Sequence, residues 1–89
     1  MHIESDKDFT QLRHRFSAWR KQFPMFTHDV HQIENIIETH IQNHSIIMVM
    51  YRQTKSRSYL EKAQLEIDAI NKVIETVEKI ELMALLARR

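Results

Sequence analysis

The chain of 89 residues contains no glycine and no cysteine, and it has a single proline. Walker phosphate loops, dinucleotide-binding loops and nucleophile elbows need backbone conformations that glycine adopts at little cost. Without cysteine there is no disulfide framework, no zinc ribbon and no thiol nucleophile. These absences exclude many classes of enzyme, so we expect a protein without catalytic activity and without a cofactor.

Neither charge nor hydropathy directs the chain to a nucleic acid or a membrane. Thirteen Lys and Arg against twelve Asp and Glu leave a net charge of +1, which creates no strong overall field. The longest apolar runs, 46–51 and 82–87, are far shorter than the ~20 residues of a membrane-spanning helix. The polar amino-terminal segment lacks the apolar core of a signal peptide. We therefore expect a cytoplasmic protein that does not insert into membranes.

Apolar residues recur at alternating spacings of three and four along most of the chain, which is typical of amphipathic α-helices. The pattern predicts an all-α fold with helices over about 5–23, 27–53 and 58–87, in a single helical domain spanning 1–89. Ser5 with Asp8 and Ser58 with Glu61 resemble capping boxes, in which side chains bond the free amides of a helix start. They mark the beginnings of the first and third helices.

Pro24 leaves two arrangements open between the first two helices. Proline has no backbone N–H and pushes the preceding residue, Phe23, away from helical dihedral angles, which predicts a turn. The apolar rhythm nevertheless continues in phase from Phe9 to Tyr51. A single kinked helix is therefore the alternative.

The second and third helices are long and similar in length, and the polar stretch 54–58 between them is short. This combination predicts an antiparallel helical hairpin. The first helix is too short to cover both long helices, and wide apolar faces left uncovered favour association. We therefore predict a homo-oligomer, most simply a dimer that completes a larger bundle.

The carboxyl-terminal part of the third helix carries apolar residues around nearly its whole circumference. Its side chains, with two methionines of the second helix that we expect opposite them, are the candidate interface residues: Met48, Met50, Leu82, Met83, Leu85 and Leu86. Methionine adapts to varied binding surfaces. The interpretation is contact with a second copy or with another helical protein, and the alternative is packing within the core.

His40 and His44 lie four residues apart, so on a helix their side chains project from one face and are candidate metal ligands. The glutamate of a zinc-hydrolase helix is missing between them. Both also occupy positions of the apolar stripe, where a buried polar residue fixes register or oligomeric state. A third hypothesis is pH sensing, in which protonation places charge in the core.

The first helix carries cations interleaved with Phe16 and Trp19, a combination that single-stranded nucleic acids favour. The candidate nucleic-acid contacts are Arg13, Arg15, Arg20 and Lys21. The alternative is a solvated cationic face opposite a core face. The sequence therefore predicts first a non-enzymatic helical protein that acts by self-association, then a nucleic-acid-associated regulatory module, and then a metal- or ligand-binding bundle.

Overall fold

The computed structural model describes residues 1–87, apart from the side chain of Thr27. Its helices are α1 (Phe9–Gln22), α2 (Thr27–Thr54) and α3 (Arg57–Ala87), with 3₁₀ turns over Asp6–Asp8 and Pro24–Phe26. The described residues include no β-strand, and α2 packs along α3 as a long hairpin. The predicted all-α fold is confirmed. Residues 88 and 89, which end the predicted domain, lie outside the described residues.

The first helical segment begins as predicted but is not α-helical from its start. Residues Asp6–Asp8 form a 3₁₀ turn before α1 begins at Phe9. The Asp8 carboxylate accepts hydrogen bonds from the backbone N–H groups of Glu4, at 2.9 Å, and Ser5, at 3.4 Å. The predicted pairing of Ser5 with Asp8 is therefore present. It satisfies amides at the helix start that have no partner inside the helix.

The chain reverses direction at Pro24. Phe23 has φ −125° and ψ 62°, outside the helical region, as expected for a residue that precedes proline. Helix α1 then lies back along α2, where Arg13 pairs with Glu38, although a continuous helix would separate the two by about 37 Å. The kinked-helix alternative is therefore wrong, and the turn is correct.

The connection between α2 and α3 is shorter than predicted. Lys55 ends α2 in the left-handed conformation, with φ 57°, and its backbone N–H donates to the carbonyl oxygen of Tyr51 at 2.6 Å. Because α3 begins at Arg57, Ser56 precedes the helix and Ser58 lies inside it. The predicted capping box of Ser58 and Glu61 is therefore misplaced, since the capping residue is the one before the first helical residue.

The hydrophobic core lies between α1, the hairpin and the amino-terminal residues. It is formed by Ile3, Phe9, Leu12, Phe16, Trp19, Phe23, Val30, Ile37, Ile41, Ile67, Ile70, Ile74 and Val77. Ile3 belongs to no helix, yet it is completely buried. The apolar spacing of three and four residues predicts one helix face for the first helix, and its five residues all enter this core: Phe9, Leu12, Phe16, Trp19 and Phe23.

The molecule is elongated, with extents of 53 × 18 × 17 Å. Helix α1 has 14 residues and is therefore half the length of α2, which has 28. It leaves the connection end of the hairpin uncovered. None of the described helices combines the length and apolarity needed to cross a membrane.

Candidate functional site

Helix α1 and the amino-terminal segment cover one face of the hairpin, here called the front face. Arg13 pairs with Glu38 of α2 at 2.8 Å. On the side of α3, the Asn71 side chain holds the backbone of Ile3: Asn71 Oδ1 accepts from Ile3 N at 2.7 Å, and Asn71 Nδ2 donates to Ile3 O at 2.8 Å. These contacts fix which sides of the long helices are covered.

The opposite side of the hairpin, here called the rear face, is uncovered and carries exposed apolar residues. Residues spaced by about 3.6 share a helix face, and this spacing places five apolar side chains roughly opposite the contacts of α1. They are Ile36, Ile47 and Met50 of α2 and Leu65 and Met83 of α3. Four of the five are exposed, and Ile47 is half-buried. The rear face thus presents apolar side chains from both long helices.

A polar pair lies at the seam of the rear face. His40 Nδ1 of α2 is 2.5 Å from Glu66 Oε2 of α3, and both side chains are half-buried. Because each residue belongs to a different long helix, the pair fixes the register of α2 against α3. It also adds polar atoms among the apolar side chains of the rear face, where the same spacing places Asn43, Lys72 and Thr76.

The segment 39–51 of α2 contains no Asp, Glu, Lys or Arg. It nevertheless exposes large apolar side chains, among them Ile46 at 62% and Val49 at 44%. An exposed helix usually carries charges on the side away from the core. Here more than three turns carry none, so nothing in this segment repels an identical segment by charge.

The predicted interface residues do not form one cluster. Met48 is half-buried and, with Leu60 and Ala63, lines a cleft near the start of α3. Residues equally distant from the connection lie opposite one another in an antiparallel hairpin, so Met48 and Met50 lie near the connection end. The expectation that they lie opposite Leu82 and the residues after it is wrong.

The other predicted interface residues are strongly exposed. Leu82, Met83, Leu85 and Leu86 expose between 54% and 68% of their surface. All four lie in the last two turns of α3, together with half-buried Ala84. The core alternative is therefore not correct for these four side chains. Their role in an interface stays a prediction.

The two candidate metal-binding histidines have separate environments. His44 is buried, and its ring meets the ring of Phe9 edge-on, with centroids 5.3 Å apart and an interplanar angle of 87°. His40 faces the Glu66 carboxylate instead. Within residues 1–87, no group of three His, Cys, Asp or Glu side chains is arranged to hold a metal ion. The contacts of both histidines agree with the interpretation that they are packed side chains that fix the register of the helices.

Three of the four predicted nucleic-acid contacts are paired with carboxylates. Arg13 pairs with Glu38, Arg15 with Glu81 and Arg20 with Glu34. The hydrogen bond from Arg13 to Glu38 raises the pKa of the Arg13 guanidinium, while partial burial acts in the opposite direction. Lys21 is exposed. The cations of α1 therefore serve mainly to attach it to α2 and α3.

The aromatic residues of α1 face inward. Phe16 and Trp19 are 3% and 1% exposed, and their ring centroids are 5.6 Å apart. The Arg15 guanidinium lies over the Trp19 ring, 5.8 Å from its centroid, a geometry that permits a cation–π attraction. Because the rings are buried, they offer no surface on which nucleic-acid bases could stack.

A cavity of about 260 Å³ lies where the Pro24 turn meets the hairpin. Its lining consists of Trp19, Phe23, Phe26, Asp29, Val30, Ile33, Val77 and Ile80. The cavity was not predicted from the sequence, because several of these residues were assigned simply to the core. The nearest signal was the spacing of Trp19, Phe23 and Phe26 around Pro24, which places three aromatic residues at one turn.

No protein-family model, curated protein or solved structure matches the chain. The absence of catalytic activity, the partners and the cytoplasmic location therefore stay predictions. The rear face, the cavity and the cleft beside Met48 are the features of the molecule from which a function can be argued.

Proposed function

We propose that the protein acts by self-association, with the rear faces of two copies packed against each other as a four-helix bundle. The observation that carries this proposal is the exposure of apolar side chains from both long helices on the side that α1 leaves open. Hydrophobic association removes such surface from water, at roughly 25 cal/mol per Å². In this arrangement α1 of each copy lies on the outside.

A rear-face contact has to run along much of the hairpin to form a stable dimer. It follows a molecule 53 Å long and 18 Å wide, and stable complexes bury about 800 Å² on each partner. The charge pattern supports a second copy as the occupant. A two-fold contact brings the same patch of both copies together, and the uncharged segment 39–51 causes no like-charge repulsion there.

The pair of His40 and Glu66 gives the contact a geometric constraint. A polar pair surrounded by apolar side chains disfavours registers that bury it without hydrogen-bond partners. In the proposed bundle, the pair would select one register of two hairpins over others. This role agrees with the sequence-based prediction that histidine in the apolar stripe specifies assembly.

The test is the mass of the protein at micromolar concentration, measured by sedimentation velocity. We expect a particle of twice the chain mass of 10.8 kDa. Ile36→Lys and Met83→Lys each place a charge on the rear face and should give the single-chain mass. Gln42→Lys is the matched control, because Gln42 is exposed but lies on the outer side of α2, and this variant should remain associated.

Two results would contradict the proposal. One is a wild-type mass of a single chain, and the other is equal association of the rear-face variants and the control. Circular dichroism of each variant shows whether the helices remain, which separates dissociation from unfolding. The variants Leu82→Lys and Leu86→Lys then show whether the end of α3 takes part in the same contact.

A further inference from the structure

The cleft beside Met48 has an acidic rim. It lies where the amino-terminal segment meets the two long helices, and Glu4 and Asp6 line it from that segment. Both residues are exposed, and within residues 1–87 neither carboxylate forms an ion pair. The described lining of the cleft includes no lysine or arginine. Two negative charges without a paired cation favour a positively charged occupant.

His44 supplies an unused polar group to the same cleft. It lines the cleft and is 7% exposed. Its ring contacts the Phe9 ring, but no described residue gives it a hydrogen bond. In the described part of the chain, the fully buried side-chain atoms without a partner are Trp19 Nε1 and Glu81 Oε1, so the ring nitrogens of His44 keep some accessible surface. Because the residue is otherwise buried, this surface opens into the cleft that it lines.

The remaining walls determine the apolar part of an occupant. Met48, Leu60 and Ile67 line the cleft, and ligand sites usually combine apolar walls with a few polar groups that orient the ligand. The methionine thioether makes favourable contacts with aromatic rings. An engineered cavity of about 150 Å³ binds benzene. The volume of about 190 Å³ here therefore fits one aromatic ring with a short substituent.

We propose that this cleft binds a small organic cation, in which a protonated primary amine is attached to one aromatic ring. An ammonium group has three N–H donors. Its acceptors are the carboxylates of Glu4 and Asp6 and the acceptor nitrogen of an uncharged His44 ring. A metal ion does not fit, because the described residues include no group of three His, Cys, Asp or Glu side chains arranged to hold one. An anionic ligand is repelled by the rim.

The acidic rim has a competing role in the fold. Asp6 lies in the first turn of the helical segment that leads into α1, where a carboxylate interacts favourably with the positive end of a helix. A water molecule at the His44 ring would satisfy its nitrogens without any ligand. In that case the carboxylates serve stability alone, and an added amine does not bind the cleft.

Benzylamine and benzyl alcohol are suitable probes because they have nearly the same shape, and at neutral pH only benzylamine is charged. Ligand-observed NMR titrations give the affinity of each probe. We expect benzylamine to bind about three- to tenfold more tightly, the range for two partly exposed charge pairs. This preference should shrink at high salt, because salt screens exposed charges.

Two signals of the protein locate the bound probe. The ring signals of His44, identified as those missing from the His44→Gln variant, should move during titration with benzylamine. Trp19 is the only tryptophan of the chain and lines the separate cavity at the Pro24 turn, so its indole signal should stay in place. Movement of the Trp19 signal without movement of the His44 signals would overturn the proposal, because the probe would then occupy that cavity.

A variant that combines Glu4→Gln with Asp6→Asn tests the rim, since it removes both charges and keeps the shapes of the side chains. Its preference for benzylamine should disappear, and its affinity for benzyl alcohol should not change. The matched control combines Glu75→Gln with Asp29→Asn. Both of these residues are exposed and lie outside the cleft, and Asp29 also lies in the first turn of a helix. The control should keep the preference of the wild type.

Circular dichroism of each variant checks that the helices are intact, so that a lost preference is not a lost fold. The proposal is overturned if benzylamine does not bind the wild-type protein or binds no more tightly than benzyl alcohol. It is also overturned if the rim variant and the control keep the same preference, as carboxylates that serve stability alone would give.

Discussion

The rings of Phe9 and His44 meet edge to face, with the centroids 5.3 Å apart and the planes at 87°. This contact joins the first residue of α1 to the middle of α2, and both residues are buried. It marks the point beyond which α1 no longer covers the hairpin. Most of the uncharged segment 39–51 lies on the uncovered side of that point.

The ring contact gives the first prediction. Phe9→Leu keeps an apolar side chain but loses the edge contact, which is worth about 0.5–1.5 kcal/mol beyond the buried area. We expect the free energy of unfolding to fall by about 1 kcal/mol, measured by urea denaturation followed by circular dichroism. Phe26→Leu is the matched control, because Phe26 is 53% exposed and its replacement should change stability by about 0.5 kcal/mol or less.

The second prediction concerns Asn71. Its side-chain amide takes the place of a backbone partner for Ile3. Asn71→Ala removes both hydrogen bonds to Ile3 and leaves two partly buried backbone groups unpaired, which costs about 1–3 kcal/mol. Thermal unfolding should therefore begin at a lower temperature. Asn35→Ala makes the same exchange at an exposed helix position, and an equal loss there would contradict the assigned role of Asn71.

The third prediction compares two ion pairs of α1 that differ in burial. The Glu34 side chain, which pairs with Arg20, is 11% exposed, whereas Glu38, which pairs with Arg13, is 35% exposed. Arg20→Ala leaves the buried Glu34 carboxylate with His31 Nδ1, at 3.4 Å, as its remaining basic neighbour, and we expect a loss of about 2 kcal/mol. Arg13→Ala should cost about 0.5 kcal/mol, since exposed pairs contribute little.

Urea unfolding at two salt concentrations checks this comparison. Salt screens exposed charges more than buried ones, so the effect of Arg13→Ala should shrink at high salt and that of Arg20→Ala should persist. Equal losses for the two variants would mean that burial of Glu34 does not control the energetics. Arg13 and Arg20 are also predicted nucleic-acid contacts. Titration of the wild-type protein with single-stranded DNA shows whether binding exists, and titration of the two variants shows whether these residues contribute to it.

Lys55 gives the fourth prediction, this time of increased stability. Its left-handed conformation, with φ 57°, costs an ordinary L-residue about 1 kcal/mol, whereas glycine adopts it freely. Lys55→Gly also loses the contact of the ammonium group with the Tyr51 ring, 5.6 Å from its centroid. We expect a net gain of about 0.5 kcal/mol in unfolding free energy.

Ser56→Gly is the control for Lys55→Gly. Lys55 is the one residue with positive φ in the described part of the chain, so glycine at position 56 relieves no strain. It should lower the melting temperature, because it removes the Ser56 hydroxyl before α3, which is 3.0 Å from Ser58 Oγ, and because glycine adds conformational freedom to the unfolded chain. A loss of stability in both variants would contradict the argument from backbone conformation.

Much of the fold could be predicted from the spacing of apolar residues. The stripe that begins at Phe9 enters the core, and the long helices begin or end within one residue of their predicted bounds. The sequence did not decide between a turn and a kinked helix at Pro24, because it does not show whether packing outweighs the cost of proline inside a helix. The structure shows a turn there.

The surfaces were harder to predict than the helices. Met48 and Leu82 lie at different ends of the hairpin, and counting residues from Lys55 would have shown this. The rear face depends on which side α1 covers, which is set by pairs such as Arg13 with Glu38. The cavity beside Trp19 depends on side-chain packing around Pro24, and periodicity carries no information about empty volume.

The attachment of Ile3 to Asn71 affects how the chain folds during synthesis. The two residues are 68 positions apart, so the amino-terminal segment lacks this partner until the first half of α3, up to Asn71, has left the ribosome. Until then the aromatic side chains of the nascent α1 lack the α3 part of their core and are available to chaperones that recognise exposed aromatic residues. Helix α3, which is translated long after α1, thus completes the burial of the α1 side chains.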